Sequence, residues 1–136
     1  MIQSNELRSG NLIIGTYENE DDNLMHETIC TFKFYNCYDN YYNVESKDGI
    51  EEFTSFKPIP LTEEILLKCG FYYSDDDDEF LEYKVFKSFK FHADYSDKFS
   101  CISYRINDTT NEIKFLHQLQ NLYWCLCGEE LTFNNL

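Results

Sequence analysis

The N-terminal part of the chain carries short apolar and aromatic runs typical of β-strands, at 11–17, 28–35, 38–44 and 52–56. In 28–35 apolar and polar residues partly alternate, the pattern of a half-buried strand. Asp48-Gly49, between the last two runs, is a hairpin-turn signal, because both residues tolerate the backbone angles of tight turns. We therefore predict three to five short strands that form a small meander or twisted barrel.

Two later segments show helical spacing instead. The first begins at Thr62, a good N-cap residue, and ends at Gly70. Glu63 and Glu64 fall in its first turn, where the helix dipole favours negative charge. The second covers 116–127, where apolar residues recur every three to four positions and a glycine follows. Both segments are predicted to be amphipathic helices.

Further short aromatic runs surround these helices and are predicted to be strands. They cover 71–73, 80–86, 88–92, 99–106 and 112–115, with an edge segment at 129–133. The order of strands, helix, strands and helix predicts an α+β fold with antiparallel sheets. It consists of an N-terminal β-rich part, followed by a sheet that carries the two helices.

We predict one compact domain over 1–136. The two prolines, Pro58 and Pro60, mark the best internal boundary, because residues before proline avoid the helical region. A subdivision at this point would separate a β-rich part, 1–57, from an α+β part, 58–136.

Charge narrows the function classes. The chain of 136 residues has 11 Lys and Arg against 25 Asp and Glu, a net charge of −14, with 18% aromatic residues. It is too aromatic for a disordered acidic tail, and too acidic to bind DNA or RNA directly by neutralising phosphates. A basic, aromatic stretch is the exception, and it is interpreted either as a base-stacking surface or as the outer face of strands; its lysines are Lys84, Lys87, Lys90 and Lys98.

No apolar run approaches the length of a membrane span, and the first residues do not resemble a signal peptide. We expect a cytoplasmic protein whose six cysteines are reduced and mostly buried. The cysteines are Cys30, Cys37, Cys69, Cys101, Cys125 and Cys127. His117 is expected on the surface of the second helix.

Metal and catalytic motifs are weak. Cys125 and Cys127 are two residues apart, so on a helix they face apart and cannot share a metal. A calcium loop that starts at Asp75 would need glycine and glutamate where Phe80 and Phe86 stand. A Cys/His nucleophile pair stays open, since such residues need only meet in space. We predict no catalytic residues, metal or cofactor.

The candidate partner-binding residues are acids in two clusters and two tyrosines. They are Glu18, Glu20, Asp21 and Asp22; Asp75, Asp76, Asp77, Asp78 and Glu79; and Tyr41 and Tyr42. The acidic clusters are interpreted either as solvated turns or as an anionic surface that imitates a phosphate backbone and docks on a basic groove. Tyrosine is enriched at interface hot spots, although half-buried strand aromatics explain the same residues.

Three blocks of sequence resemble a group of small acidic phage and prophage proteins. These blocks are Asn5-Glu-Leu-Arg-Ser-Gly-Asn-Leu12, Pro58-Ile-Pro-Leu-Thr-Glu-Glu-Ile-Leu-Leu-Lys-Cys-Gly-Phe71, and Leu116-His-Gln-Leu-Gln-Asn-Leu-Tyr123 with Gly128-Glu-Glu-Leu131. In that group the same blocks bracket variable, aromatic, acidic segments. By size, acidity and these blocks, the chain is also similar to anti-CRISPR proteins directed at the type VI-B RNA-guided ribonuclease.

The resemblance implies a non-enzymatic inhibitor that binds a host CRISPR effector, with or without its guide RNA, and interferes with guide or target RNA. Such a partner holds RNA in a basic channel, which would attract a protein of charge −14. The alternative hypothesis is a phage structural or assembly accessory that binds other phage proteins. It predicts self-association, or capture of virion proteins rather than a nuclease.

Overall fold

The structure is a computed structural model. It describes residues 2, 6–36, 41–73, 80–86, 89–94, 102–106 and 109–134. Within these ranges, only the backbone is described for 34–36, 41–42, 80–86, 89–94, 102–106 and 109–111. The chain divides into two compact units, Met1–Ile59 and Pro60–Leu136, and the boundary falls between the two prolines that the sequence analysis singled out.

The first unit is a four-stranded antiparallel sheet with the order β3-β2-β1-β4. Its strands are β1 (Leu12–Asn19), β2 (Leu24–Asn36), β3 (Tyr41–Ser46) and β4 (Ser55–Lys57). The β1–β2 hairpin is its longest pairing and runs without interruption from Leu12↔Thr31 to Asn19↔Leu24. β2 begins four residues earlier than the alternation at 28–35 predicted, because the hairpin pairing continues to the turn.

One face of this sheet forms the core of the first unit. Ile13, Cys30 and Phe32 are buried on it, and Phe53 and Phe56 pack against them. Ile13 and Cys30 are register partners in β1 and β2, so both side chains point to the same face. Phe53 and Phe56, the aromatic residues of segment 51–57, lie over this face of the sheet.

The second unit contains a five-stranded antiparallel sheet with the sequential order β5-β6-β7-β8-β9. Its strands are β5 (Tyr72–Tyr73), β6 (Phe80–Phe86), β7 (Phe89–Asp94), β8 (Ile102–Ile106) and β9 (Thr109–Ile113). The runs predicted at 99–106 and 112–115 correspond to β8 and β9, which pair from Ile102↔Ile113 to Ile106↔Thr109. β9 starts at Thr109, three residues before the predicted run.

Both predicted helices are confirmed, α1 as Glu63–Lys68 and α2 as Leu116–Cys127. The Thr62 side chain accepts a hydrogen bond from the Ile65 N–H, as expected of an N-cap. At the start of α2, the Gln118 side chain accepts the N–H of Phe115 at 3.3 Å. Gly128 ends α2 in the left-handed region at φ 71°, where an L-residue is strained.

The antiparallel sheets and two helices confirm the α+β class. In the ranges that the structure describes, no helix is long and apolar enough to cross a membrane. The backbone of residues 129–133 is described and is not a strand, so the predicted edge segment is wrong there. Leu131 in this segment is nevertheless buried, and its packing explains the apolar pattern that suggested a strand.

The placement of His117 corrects a sequence-based expectation. It was expected on the helix surface, but only 1% of it is exposed, and it lies between the buried Leu116 and Leu119 in the first turn of α2. Its ring stacks on Phe115 at 5.9 Å between centroids. The buried side of the first turn of α2 therefore extends further around the helix than the spacing of the leucines indicated.

Burial of the cysteines agrees in part with the expectation. Cys30 and Cys69 are buried free thiols, whereas Cys125 is exposed and Cys127 is half-buried. Burial raises the pKa of the Cys69 thiol from 9.0 to about 12. Cys37 and Cys101 lie outside the residues whose side chains are described.

Candidate functional site

The N-terminal acidic cluster forms the turn of the β1–β2 hairpin. Asn19 and Leu24 are the last paired residues, and the four residues between them, Glu20–Asn23, form the turn. The Asn23 N–H donates to the Asn19 carbonyl at 2.8 Å, and Asn23 adopts a φ of 53°. Asparagine is among the few residues other than glycine that tolerate this region, which explains a tight turn without glycine.

Side chains of the turn fold back on its own backbone. The Asp21 N–H donates to Asn19 Oδ1 at 3.0 Å, and the Leu24 N–H donates to Asp22 Oδ1 at 2.9 Å. Asp22 Oδ2 also lies 2.8 Å from Nε2 of His26. The Leu24 N–H, and secondly His26, hold the pKa of the Asp22 carboxyl below its ordinary 3.8. These bonds fix the backbone of the turn and the orientation of the Asp22 carboxylate.

A cleft of about 520 Å³ lies beside this turn. One wall is the end of the hairpin and the other is the segment that precedes β4. The lining residues are Tyr17, Glu18, Asn19, Glu20, Asp21, Gly49, Ile50, Glu51 and Glu52. Five of them carry carboxylates and none carries a positive charge, so the cleft is an anionic surface at neutral pH.

The second wall was missed by sequence reasoning. Glu51 and Glu52 follow the predicted Asp48-Gly49 turn after one intervening residue, Ile50, where they looked like ordinary polar residues at the start of a strand. That turn is fixed by Ser46, whose Oγ accepts the Ile50 N–H at 2.7 Å. The residues around Glu51 and Glu52 do not indicate that these acids face the turn of the β1–β2 hairpin. Only the fold of the first unit brings them there.

Three acids elsewhere in the described chain form ion pairs with lysines. Glu27 is paired with Lys57 across the sheet, Glu45 lies 2.7 Å from Lys33, and Glu64 lies 2.7 Å from Lys68; the last two of these lysines lower the pKa of their partner carboxyls. The five cleft carboxylates have no ion-pair partner among the residues that the structure describes. Their charges therefore add rather than cancel.

Among the described ranges, no three His, Cys, Asp or Glu side chains are grouped so as to hold a metal ion. The negative charge of the cleft carboxylates attracts cationic side chains.

The other predicted site residues do not join this cleft. Tyr41 and Tyr42 lie in β3, whose backbone pairs with Asn36 and Tyr35 at the far end of β2 from Leu24. At about 3.3 Å per residue, the two ends of β2 are roughly 40 Å apart. The tyrosines and the hairpin acids therefore do not form one compact site.

The second acidic cluster, Asp75, Asp76, Asp77, Asp78 and Glu79, lies outside the described residues. The basic stretch lies where the structure gives either the backbone alone or no description; its Lys84 and Lys90 are backbone register partners in β6 and β7. The predicted site residues whose side chains are described are therefore Glu18, Glu20, Asp21 and Asp22. The first three line the cleft together with Glu51 and Glu52, and Asp22 lies in the adjoining turn.

Comparison with known proteins adds no assignment: no protein-family model, no curated protein and no solved structure matches this chain.

Proposed function

We propose that the chain is a non-enzymatic, phage-encoded inhibitor that acts in the host cytoplasm by binding an RNA-guided CRISPR nuclease, the type VI-B effector. The observation that carries the proposal is the acidic cleft, in which five carboxylates converge and no described lysine or arginine is among the lining residues. A groove that holds RNA is lined by cations, and a fixed set of carboxylates is complementary to it. The nuclease is named from the resemblance to anti-CRISPR proteins.

Charge explains how such a complex would form. The chain carries a net charge of −14, and screening at physiological salt acts over about 8 Å. Encounter with a basic channel is therefore accelerated and oriented with the cleft forward, and binding weakens as salt rises. Occupation of the channel would prevent guide or target RNA from taking its place there.

The test uses purified type VI-B effector loaded with guide RNA, and cleavage of a labelled target RNA as the readout. We expect inhibition that is complete near one inhibitor per effector and that weakens between 50 and 300 mM salt. Full cleavage with excess inhibitor at low salt would contradict the proposal. In that case, size-exclusion chromatography and capture of purified virion proteins would test the alternative of a phage assembly accessory.

A further inference from the structure

The β1–β2 hairpin ends in a two-stranded ribbon that extends past both neighbouring strands. β4 pairs with β1 only at Ile14–Thr16, and β3 pairs with β2 only from Cys30 onward. Within the described chain, the residues from Tyr17 to Asn19 and from Leu24 to His26 pair only with each other. The two edges of the ribbon are therefore free of a neighbouring strand among the described residues, while on one face the Tyr17 ring contacts Phe53 at 6.3 Å between centroids.

This ribbon carries the two most exposed large apolar side chains among the described residues. Leu24 is 61% exposed and Met25 is 55% exposed, whereas the others, including Leu67 and Trp124, do not exceed 43%. Single exposed apolar residues are ordinary on protein surfaces. Here one lies on each side of the ribbon end, next to a turn of acids, so the tip of the ribbon is apolar on both sides and anionic at its end.

The two side chains lie on opposite faces of the ribbon, because successive residues of a strand alternate. Leu24 shares a face with Tyr17 and His26, and Met25 lies on the other face opposite Glu18. A partner with a flat surface would cover only one of the two. A partner that buries both must enclose the ribbon in a groove.

The charges next to Leu24 and Met25 indicate which side chains would line such a groove in the partner. Glu18 is the register partner of Met25, and the Asp22 carboxylate accepts the N–H of Leu24, so each apolar side chain has a carboxylate beside it. Arginine and lysine match both features, because their alkyl stems cover apolar surface while their charged ends reach carboxylates. Nucleic acid would be repelled by the same carboxylates, so the occupant is a protein.

We propose that the ribbon inserts into a basic groove of the partner protein, with Leu24 and Met25 packed against the stems of arginine or lysine side chains on opposite walls. This proposal rests on the proposed function and adds which residues anchor the complex. Charge sets the rate and orientation of encounter, and burial of the two apolar side chains limits dissociation. The fixed turn reduces the ordering cost of insertion.

The experiment measures binding kinetics of immobilised guide-loaded type VI-B effector with three versions of the protein. These are the wild type, Leu24→Ser/Met25→Ser, and the matched control Leu67→Ser/Tyr72→Ser, which removes exposed apolar side chains from α1 and β5. We expect the ribbon variant to dissociate about tenfold faster, with the salt dependence of association unchanged, and the control to match the wild type. Thermal unfolding of all three verifies that the variants are folded.

Two outcomes separate the two proposals. If the wild type binds and the ribbon variant dissociates no faster than the control, the anchoring proposal is wrong, and the inhibitor proposal stands. If the wild type does not bind, both are wrong. A photo-crosslinker at position 24 or 25 provides an independent measurement. Crosslinks to a basic segment of the effector would support insertion of the ribbon. Crosslinks only to a second copy of the chain would overturn the proposal.

Discussion

Gly15 in β1 lies directly against the ring of Phe53. A Cβ atom at Gly15 would lie 2.5 Å from Cδ1 of Phe53 and 2.8 Å from Sγ of Cys30. Both distances are shorter than the contacts that Cβ atoms make in proteins. Phe53 comes directly after Glu51 and Glu52, which form one wall of the acidic cleft. The close approach of strand and ring therefore helps to set the distance between the two walls.

Replacement of this glycine tests the packing. Gly15→Ala is expected to lower the free energy of unfolding by about 1–3 kcal/mol, because the added methyl group must displace the ring or the thiol. The measurement is urea denaturation followed by circular dichroism.

A second variant shows whether the ring is the obstacle. In Gly15→Ala/Phe53→Leu, the smaller side chain makes room for the methyl group, so the loss should be less than the sum of the two single losses. Strict additivity would show that Gly15 is required for another reason.

The pKa of Asp22 tests the geometry of the hairpin turn. An NMR titration of the carboxyl carbons should place it below 3.8, because the Leu24 N–H and His26 stabilise the ionised form. In His26→Gln the value should rise only in part, since the hydrogen bond from Leu24, the larger cause, remains. A return to the ordinary value in this variant would show that His26, not the turn, holds the carboxylate.

Cysteine reactivity should follow burial. We expect a maleimide reagent at pH 7 to label Cys125 on the native protein within minutes, while Cys30 and Cys69 react only after unfolding, because both are buried. Peptide mapping by mass spectrometry identifies the labelled sites. Labelling in denaturant, where all six cysteines are accessible, provides the control. Native labelling of Cys69 at the rate of Cys125 would contradict the placement of α1.

The raised pKa of Cys69 predicts a loss of stability in alkaline solution. Its folded pKa is about 12 against an ordinary 9.0, so between these values the unfolded chain releases a proton that the folded chain keeps. The contribution of this thiol to stability is complete below pH 9. It falls by about 1.4 kcal/mol per pH unit as the pH rises toward 12.

Unfolding free energies measured from pH 8 to 10.5 check this expectation. The curve of Cys69→Ala should be flatter than that of the wild type, because the titrating group is gone. Cys125→Ala removes an exposed thiol and should keep the slope of the wild type. Equal slopes in all three proteins would show that Cys69 does not titrate differently on folding.

Features encoded by a few neighbouring residues were predictable from the sequence. The cap at Thr62 and the glycine that ends α2 depend on local backbone chemistry, and both lie where the pattern indicated. The acids of the hairpin turn were likewise found as a cluster. Since each of these signals falls within a few positions, tertiary structure was not needed to find them.

Features that depend on distant contacts were not predictable. The cleft needs Glu51 and Glu52 to face a turn about 30 residues away, and nothing in their own neighbourhood specifies that approach. The burial of His117 likewise follows from what packs on α2 rather than from its spacing. Alternation predicted β2 but not its extension to Leu24, because the paired strand, not the local pattern, sets where a hairpin ends.

The most direct test of the central claim compares two variants that each remove two negative charges. Glu51→Gln/Glu52→Gln neutralises unpaired acids of the cleft, and Glu45→Gln/Glu64→Gln neutralises acids that are paired with Lys33 and Lys68. With guide-loaded type VI-B effector at 100 mM salt, the account predicts that the cleft variant binds about tenfold more weakly and with a smaller salt dependence, while the control stays within about twofold of the wild type. Equal weakening by both variants would show that net charge alone acts, and would contradict a specific role for the cleft.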